Sequence, residues 1–209
     1  MAPKYRLLYF DVRGLGESIR FLFAHLKIDY EDVRFPHDGG MSAEWKKLKP
    51  KQPFGKVPVL EVDGEAIAEA RAIGRYIARE YGLAGKNNLE AAKCDMIVSA
   101  LRDFNENRWK VIMEQDPAKK EELKKVLLDD EVPRYCEGLM KQMKNSQYLV
   151  GDSLTWADIT VANTLYEFRN DFPEVCKQEK YKSLNEHVDR IHNLPGIKDW
   201  MAKRPKTQF

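Results

Sequence analysis

The rhythm of apolar and polar positions changes once along this chain, near residue 83. Before that point short patterns alternate. Residues 5–10, YRLLYF, and 30–35, YEDVRF, predict strands, and the stretch between them, GLGESIRFLFAHLKI, repeats its apolar positions at helical spacing. Strand, helix, strand in that order predicts a parallel pair joined by a crossover helix. SAEWKKLKP predicts a short helix closed by Pro50. VPVLEV, the Asp63-Gly64 turn and EAIAE predict a hairpin, and ARAIGRYIAREYGL predicts another helix. The expected product is a small four-stranded mixed sheet with helices against it. Pro58 stands out because proline cannot donate to a strand ladder and is confined to edges, first positions and bulges.

After the linker AGKNN the strand signals stop and long helical patterns take over, in residues 89–115, 118–144, 156–171 and on to 205. Pro133 falls inside the second of these and predicts a kink. The fold class is therefore α/β plus all-α, with a first domain over 1–83 and a helical domain over 84–209. LTWADI, residues 154–159, has the form of a capping box: Thr155 caps the helix, Asp158 reaches back from its third position, and Leu154 staples onto Ile159. That assigns Asp158 to folding.

Composition narrows the function by exclusion. The chain has 209 residues, 43% of them hydrophobic, enough for a real core, and a net charge of +2 with no basic run interleaved with aromatics. Neither disorder nor nucleic-acid binding is expected. Cys94, Cys136 and Cys176 lie far apart without metal-ligand spacing, which reads as reduced thiols in a cytoplasmic protein. No stretch suits a signal peptide or a membrane span, so no membrane role is expected. The histidines, 25, 37, 187 and 192, are scattered, and no metal site is expected. The glycines of RGLGE lack the lysine and hydroxyl of a phosphate loop, and no hydrolase motif occurs. Tyr9 is the exception. It ends the first strand, where open α/β sheets present ligand-binding groups, although a tyrosine in such a run is more often core.

Taken together, LLYFDVRGLGESIRFLFA, WKKLKPKQPFGKVPVLEVDG, AIGRYIA and LTWADITVA resemble the sigma class of the cytosolic glutathione transferases, in order and over nearly the whole chain. The resemblance implies a thioredoxin-like N-terminal domain, an all-helical C-terminal domain, a homodimer, and glutathione as co-substrate. It implies that Tyr9 donates to the glutathione sulfur, with Arg13 beside it. It implies that Pro58 is cis and turns the Val57 backbone outward, so that glutathione adds there like a strand. Trp45 and Lys49 would hold the glycyl end of glutathione, with Lys56 beside them, and Glu69 and Ala70 the γ-glutamyl end at a helix N-terminus. Asp103 would reach the ligand of the other subunit. The electrophile would sit near Asn105, Arg108 and Trp109.

Two positions depart from the family pattern. Glu69-Ala70 replaces the usual Gln-Ser, losing a hydroxyl donor, and Leu15 stands where some relatives have arginine. Both changes point to weaker glutathione binding. The expected activity is conjugation of glutathione to small hydrophobic electrophiles, a detoxification reaction. Glutathione-dependent prostaglandin isomerisation is an alternative, although Ser99 and Arg102 match its acidic metal-binding cluster poorly. A non-catalytic ligand-binding or crystallin-like role is another.

Overall fold

A computed structural model describes residues 3–37, 42–143 and 146–207, and they divide into two compact units. The first unit comprises residues 1–81 together with 194–209, and the second comprises 82–193. The sequence pattern had assigned everything after residue 83 to the helical domain; by packing, the segment from Leu194 onward joins the first unit instead.

In the first unit, β1 (Tyr5–Phe10), β2 (Glu31–Phe35), β3 (Val59–Val62) and β4 (Glu65–Ala68) form one sheet in the order β2-β1-β3-β4. β1 runs parallel to β2 and antiparallel to β3, and β3 pairs antiparallel with β4. The mixed sheet expected from the βαβ and hairpin patterns is the one observed. The helices are α1 (Glu17–Leu26), α2 (Ala43–Leu48) and α3 (Ala70–Glu80). Strand alternation sends Leu8 and Val59 to one face, where they form a cluster with Phe35 and Trp45, and sends the paired Leu7 and Leu60 to the other. α2 starts at Ser42, whose hydroxyl accepts from the Trp45 amide at 3.2 Å, and this cap aims the Trp45 ring into the cluster.

The second unit is helical: α4 (Asn88–Met113), α5 (Pro117–Val126), α6 (Val132–Gln142), α7 (Trp156–Asp171), the short α8 (Pro173–Cys176) and α9 (Lys182–His192). The helix expected over 118–144, whose last residue lies outside the described ones, is broken by a π-helical turn at Leu127–Glu131, just ahead of Pro133. Pro133 has no amide hydrogen for the carbonyl four residues back, so the irregularity falls upstream of the proline. α7 forms the core of the unit, with Trp156, Ala157, Ile159, Val161 and Ala162 all buried. Its start is built as the capping box predicts. Asp158 Oδ2 accepts from the Thr155 amide and hydroxyl, both at 2.8 Å, and Oδ1 accepts from the Leu149 amide at 2.8 Å.

The chain returns to the first unit in α10 (Pro195–Lys203), which packs on α1. Gly196 permits this approach, because a Cβ there would stand 2.0 Å from the Ala24 carbonyl oxygen. Trp200 Nε1 and Arg204 Nη1 then donate to Glu17 Oε1 at 2.8 and 2.9 Å.

Candidate active site

The strand register brings three chain segments to one end of the sheet. Leu8 pairs with Val59, and Val59 with Ala68. Both pairings are antiparallel, so Tyr9 and Phe10 leave β1 at the end where Val57-Pro58 enters β3 and Glu69-Ala70 leaves β4. The Val57–Pro58 peptide is cis, as the resemblance implied, and Pro58 itself is buried. The β3 ladder begins only at Val59, which leaves the Val57 backbone ahead of it. Glu69, the residue before α3, has φ 71° and ψ 115°, a conformation that costs a non-glycine residue roughly 1–3 kcal/mol. Such outliers concentrate at ligand clamps. Here the outlier turns the chain from β4 so that the α3 N-terminus starts at the same sheet end.

Tyr9 is 7% exposed, and its hydroxyl oxygen accepts from the Leu15 amide at 2.9 Å. Among the described residues the hydroxyl has no second hydrogen bond, so its own hydrogen is left for a ligand. Burial pushes the phenol pKa above its ordinary value, against smaller opposing effects of the Leu15 amide and the Arg20 charge. The group therefore keeps its proton and stays a donor at neutral pH. Two glycines make the fit possible. A Cβ on Gly14, where φ is +38°, would lie 2.6 Å from the Tyr9 oxygen, and one on Gly16 would lie 2.6 Å from Cδ1. Sequence reasoning weighed these glycines only as a phosphate loop and missed them as the seat of the tyrosine ring. Two glycines spaced two apart in the loop that follows a strand were the available signal.

The other expected positions fall out unevenly. Arg13 is half-buried and donates through Nη1 to the Thr207 carbonyl at 2.6 Å, tying the Tyr9 loop to the returning segment. Trp45 is 2% exposed and belongs to the core cluster, so its substitution would disturb packing before any ligand contact. Lys49 and Lys56 are exposed, and at the turn of Gly55, where φ is +59°, an added Cβ would stand 3.5 Å from Lys49 Cγ. Val57 packs against the Trp45 cluster, as does Ala68 next to Glu69. Glu69 is exposed and Ala70 half-buried.

Asp103, Asn105, Arg108 and Trp109 are all carried by α4 in the second unit. Asp103 is exposed and borders a cavity of about 260 Å³ between α4 and α6, together with Phe104, Glu131, Arg134 and Tyr135. Arg108 is 6% exposed, and its Nε and Nη2 both lie 2.5 Å from Asp171 Oδ2. Its guanidinium also stands 5.3 Å from the Trp109 ring centroid. That charge is committed to holding α4 and α7 together, a role the sequence did not suggest.

The N-terminal domain family of glutathione S-transferases matches residues 6–79, and their C-terminal domain family matches 102–204. The chain belongs to the glutathione S-transferase family. Glutathione S-transferase 1 of Ascaris suum is 37% identical over 99% of this chain and 100% of its own length. Hematopoietic prostaglandin D synthase of Gallus gallus is 40% identical over 98% of both. Among solved structures, the monomeric Na-GST-3 of the hookworm Necator americanus superposes with a TM-score of 0.88 at 37% identity, over 99% of this chain and 100% of that one. The Nu-class transferase of Haemonchus contortus gives 0.87 at 37%, over 100% of both. The protein is thus a glutathione transferase with a thioredoxin-like first domain and a helical second one, and glutathione is its co-substrate. Among the described residues no helix is long and apolar enough to cross a membrane.

Proposed function

We propose that Tyr9 is the catalytic residue, donating its hydroxyl hydrogen to the sulfur of glutathione and holding it as the thiolate that attacks a small hydrophobic electrophile. One observation carries this reading. The Leu15 amide occupies the phenol oxygen as a donor at 2.9 Å, which fixes the hydroxyl and makes it a stronger donor in turn. A hydrogen bond to a charged acceptor contributes roughly 1.5–3 kcal/mol, equivalent to about one to two pKa units. From an ordinary thiol value near ~8.5, that shift makes thiolate the major form close to neutral pH. The peptide of glutathione extends along the Val57 edge, its γ-glutamyl carboxylate meets the α3 N-terminus at Ala70, and its glycyl end lies toward Lys49 and Lys56. Tyr9→Phe is the test: glutathione binding stays within about threefold, while turnover falls and the ultraviolet thiolate titration of the binary complex moves up by about one to two pKa units. An unmoved titration removes Tyr9 from the mechanism.

We assign the chain to the sigma class, working in the cytoplasm as a homodimer and detoxifying electrophiles, with Asp103 reaching the glutathione of the second subunit and Asn105 and Trp109 facing the electrophile. The exposed Phe54, 70% accessible beside the Val57 turn, and the cavity at Asp103 support self-association. The monomeric hookworm relative makes sedimentation the deciding measurement. An active monomer at assay concentration would refute the dimer and the role of Asp103 together. Prostaglandin isomerisation is a second reading, favoured by the 40% identity to the chicken prostaglandin D synthase. Formation of prostaglandin D in the presence of glutathione separates the two.

A further inference from the structure

The loop between β1 and α1 is surrounded by more charge than thiolate stabilisation by Tyr9 alone uses. Arg20, on the first turn of α1, is 0% exposed, and its Cζ stands 5.7 Å from the Tyr9 ring centroid. Its Nη1 donates to the Val12 carbonyl at 2.8 Å and to Glu17 Oε2 at 3.2 Å, and its Nε reaches both Asp32 oxygens, at 3.1 and 3.3 Å. Its Nη2 is buried with no hydrogen-bond partner among the described residues. A buried guanidinium with one uncommitted edge beside an aromatic face has the arrangement of a cation–π contact, which strengthens when water is excluded. The surrounding charges are shared rather than cancelled pair by pair. Glu17 serves Arg204 as well as Arg20, and Asp32 serves Arg34, which also pairs with Asp11.

We infer that Arg20 is a positioning residue for Tyr9: it pins the Val12 carbonyl, and with it the loop that delivers the Leu15 amide to the phenol oxygen, and it places a positive charge against the phenol ring. This inference rests on the reading of Tyr9 as the thiolate-stabilising donor. A cation beside the ring stabilises the negative charge that builds on the phenol oxygen as its hydrogen is drawn toward the thiolate, so the hydroxyl becomes a better donor. In the free protein the same charge acts on the phenol against the desolvation that holds its pKa up. Nothing in the loop sequence marks Arg20 for this role, because its side chain comes to the tyrosine only through the turn at Gly14 and Gly16.

The test compares charge changes of opposite sign. Arg20→Gln removes the cation. Glu17→Gln removes the anion that partly neutralises it while keeping an oxygen to accept from Trp200 and Arg204. In each variant the thiolate of bound glutathione is titrated by ultraviolet absorbance, and kcat/KM for a chloronitrobenzene electrophile is followed against pH. Arg20→Gln is expected to leave roughly threefold to tenfold less thiolate at a fixed pH below the transition, with the KM for glutathione within about threefold. Glu17→Gln is expected to shift both profiles the other way, toward lower pH. General loosening of the loop would move both variants upward, or neither, and either result overturns the proposal. If Arg20→Gln does not fold, the direction of the Glu17→Gln shift alone decides it. Tyr9→Phe run alongside separates the two levels: a wild-type titration in that variant sinks the reading of Tyr9, whereas a shifted one beside an unmoved Arg20→Gln sinks only this inference.

Discussion

Replacing Asp158 by alanine should cost the helical unit about 3–5 kcal/mol. The carboxylate is 0% exposed and accepts three hydrogen bonds at 2.8 Å, two of them from the amides of Leu149 and Thr155, themselves 2% and 1% exposed. Removing it leaves both amides buried without a partner, and each stranded donor costs roughly 1–3 kcal/mol. The Thr155 hydroxyl can rotate to another acceptor and adds little. The lost attraction to His187, whose Nε2 is 3.6 Å from Oδ1, is discounted because that ring is held neutral by burial. Asp158→Asn keeps one accepting oxygen and should cost about half as much. Urea unfolding followed by tryptophan fluorescence reads the effect, since Trp156 sits next to the cap. With a slope of roughly 1–3 kcal/mol per molar urea, the alanine variant's midpoint should fall by about 2 M at unchanged slope. A fall under about 0.5 M would refute the premise that these amides depend on Asp158.

Three further outcomes are expected. Gly16→Ala puts a Cβ 2.6 Å from Tyr9 Cδ1 and should lower kcat/KM at least about tenfold by displacing the hydroxyl. The control Gly64→Ala, where φ is +94° and an added Cβ would meet no other part of the chain within 4 Å, should lose only about 1 kcal/mol of stability and no activity. Ala70→Ser should tighten glutathione binding by about fivefold, the equivalent of roughly 1 kcal/mol, in calorimetry, with little change in turnover. Stability should also fall as the pH drops below 6.5, because burial lowers the His187 pKa and the unfolded chain takes up the proton first. Asp158, raised by burial, acts in the opposite sense above 3.8, where the folded state binds the extra proton. Measured stability curves should therefore flatten between those values and pH 6.5 in His187→Gln, and an unchanged slope would exclude His187 as the source.

The sheet, its register end and the α7 cap were legible because each rests on local pattern: alternation, a turn dipeptide, a capping box. Pro58 was legible as an anomaly before its cis geometry was seen. What stayed hidden depends on contacts between residues far apart in sequence. Trp45 reads as a surface residue among lysines, yet the Ser42 cap turns it into the core. Arg108 reads as one face of a long helix, but its partner, Asp171, is 63 residues away. The returning α10 has an ordinary helical pattern. Its Gly196 is needed for the close approach to Ala24, but a glycine in such a pattern does not by itself mark one.

That return has a consequence for how the protein folds. The half of the molecule that carries Tyr9 is discontinuous, and residues 194–207 supply the Trp200, Arg204 and Thr207 contacts to Glu17 and Arg13. In folding, the helical unit, contiguous from Gly82 to Asn193, can close on its own residues, while the sheet still waits for the segment that follows that unit in the chain. The tyrosine loop is therefore among the final parts to be secured. A nick in the loop before Pro195 would leave the sheet standing and the enzyme loosened at its chemistry, so limited proteolysis would extinguish activity well before it abolished the fold.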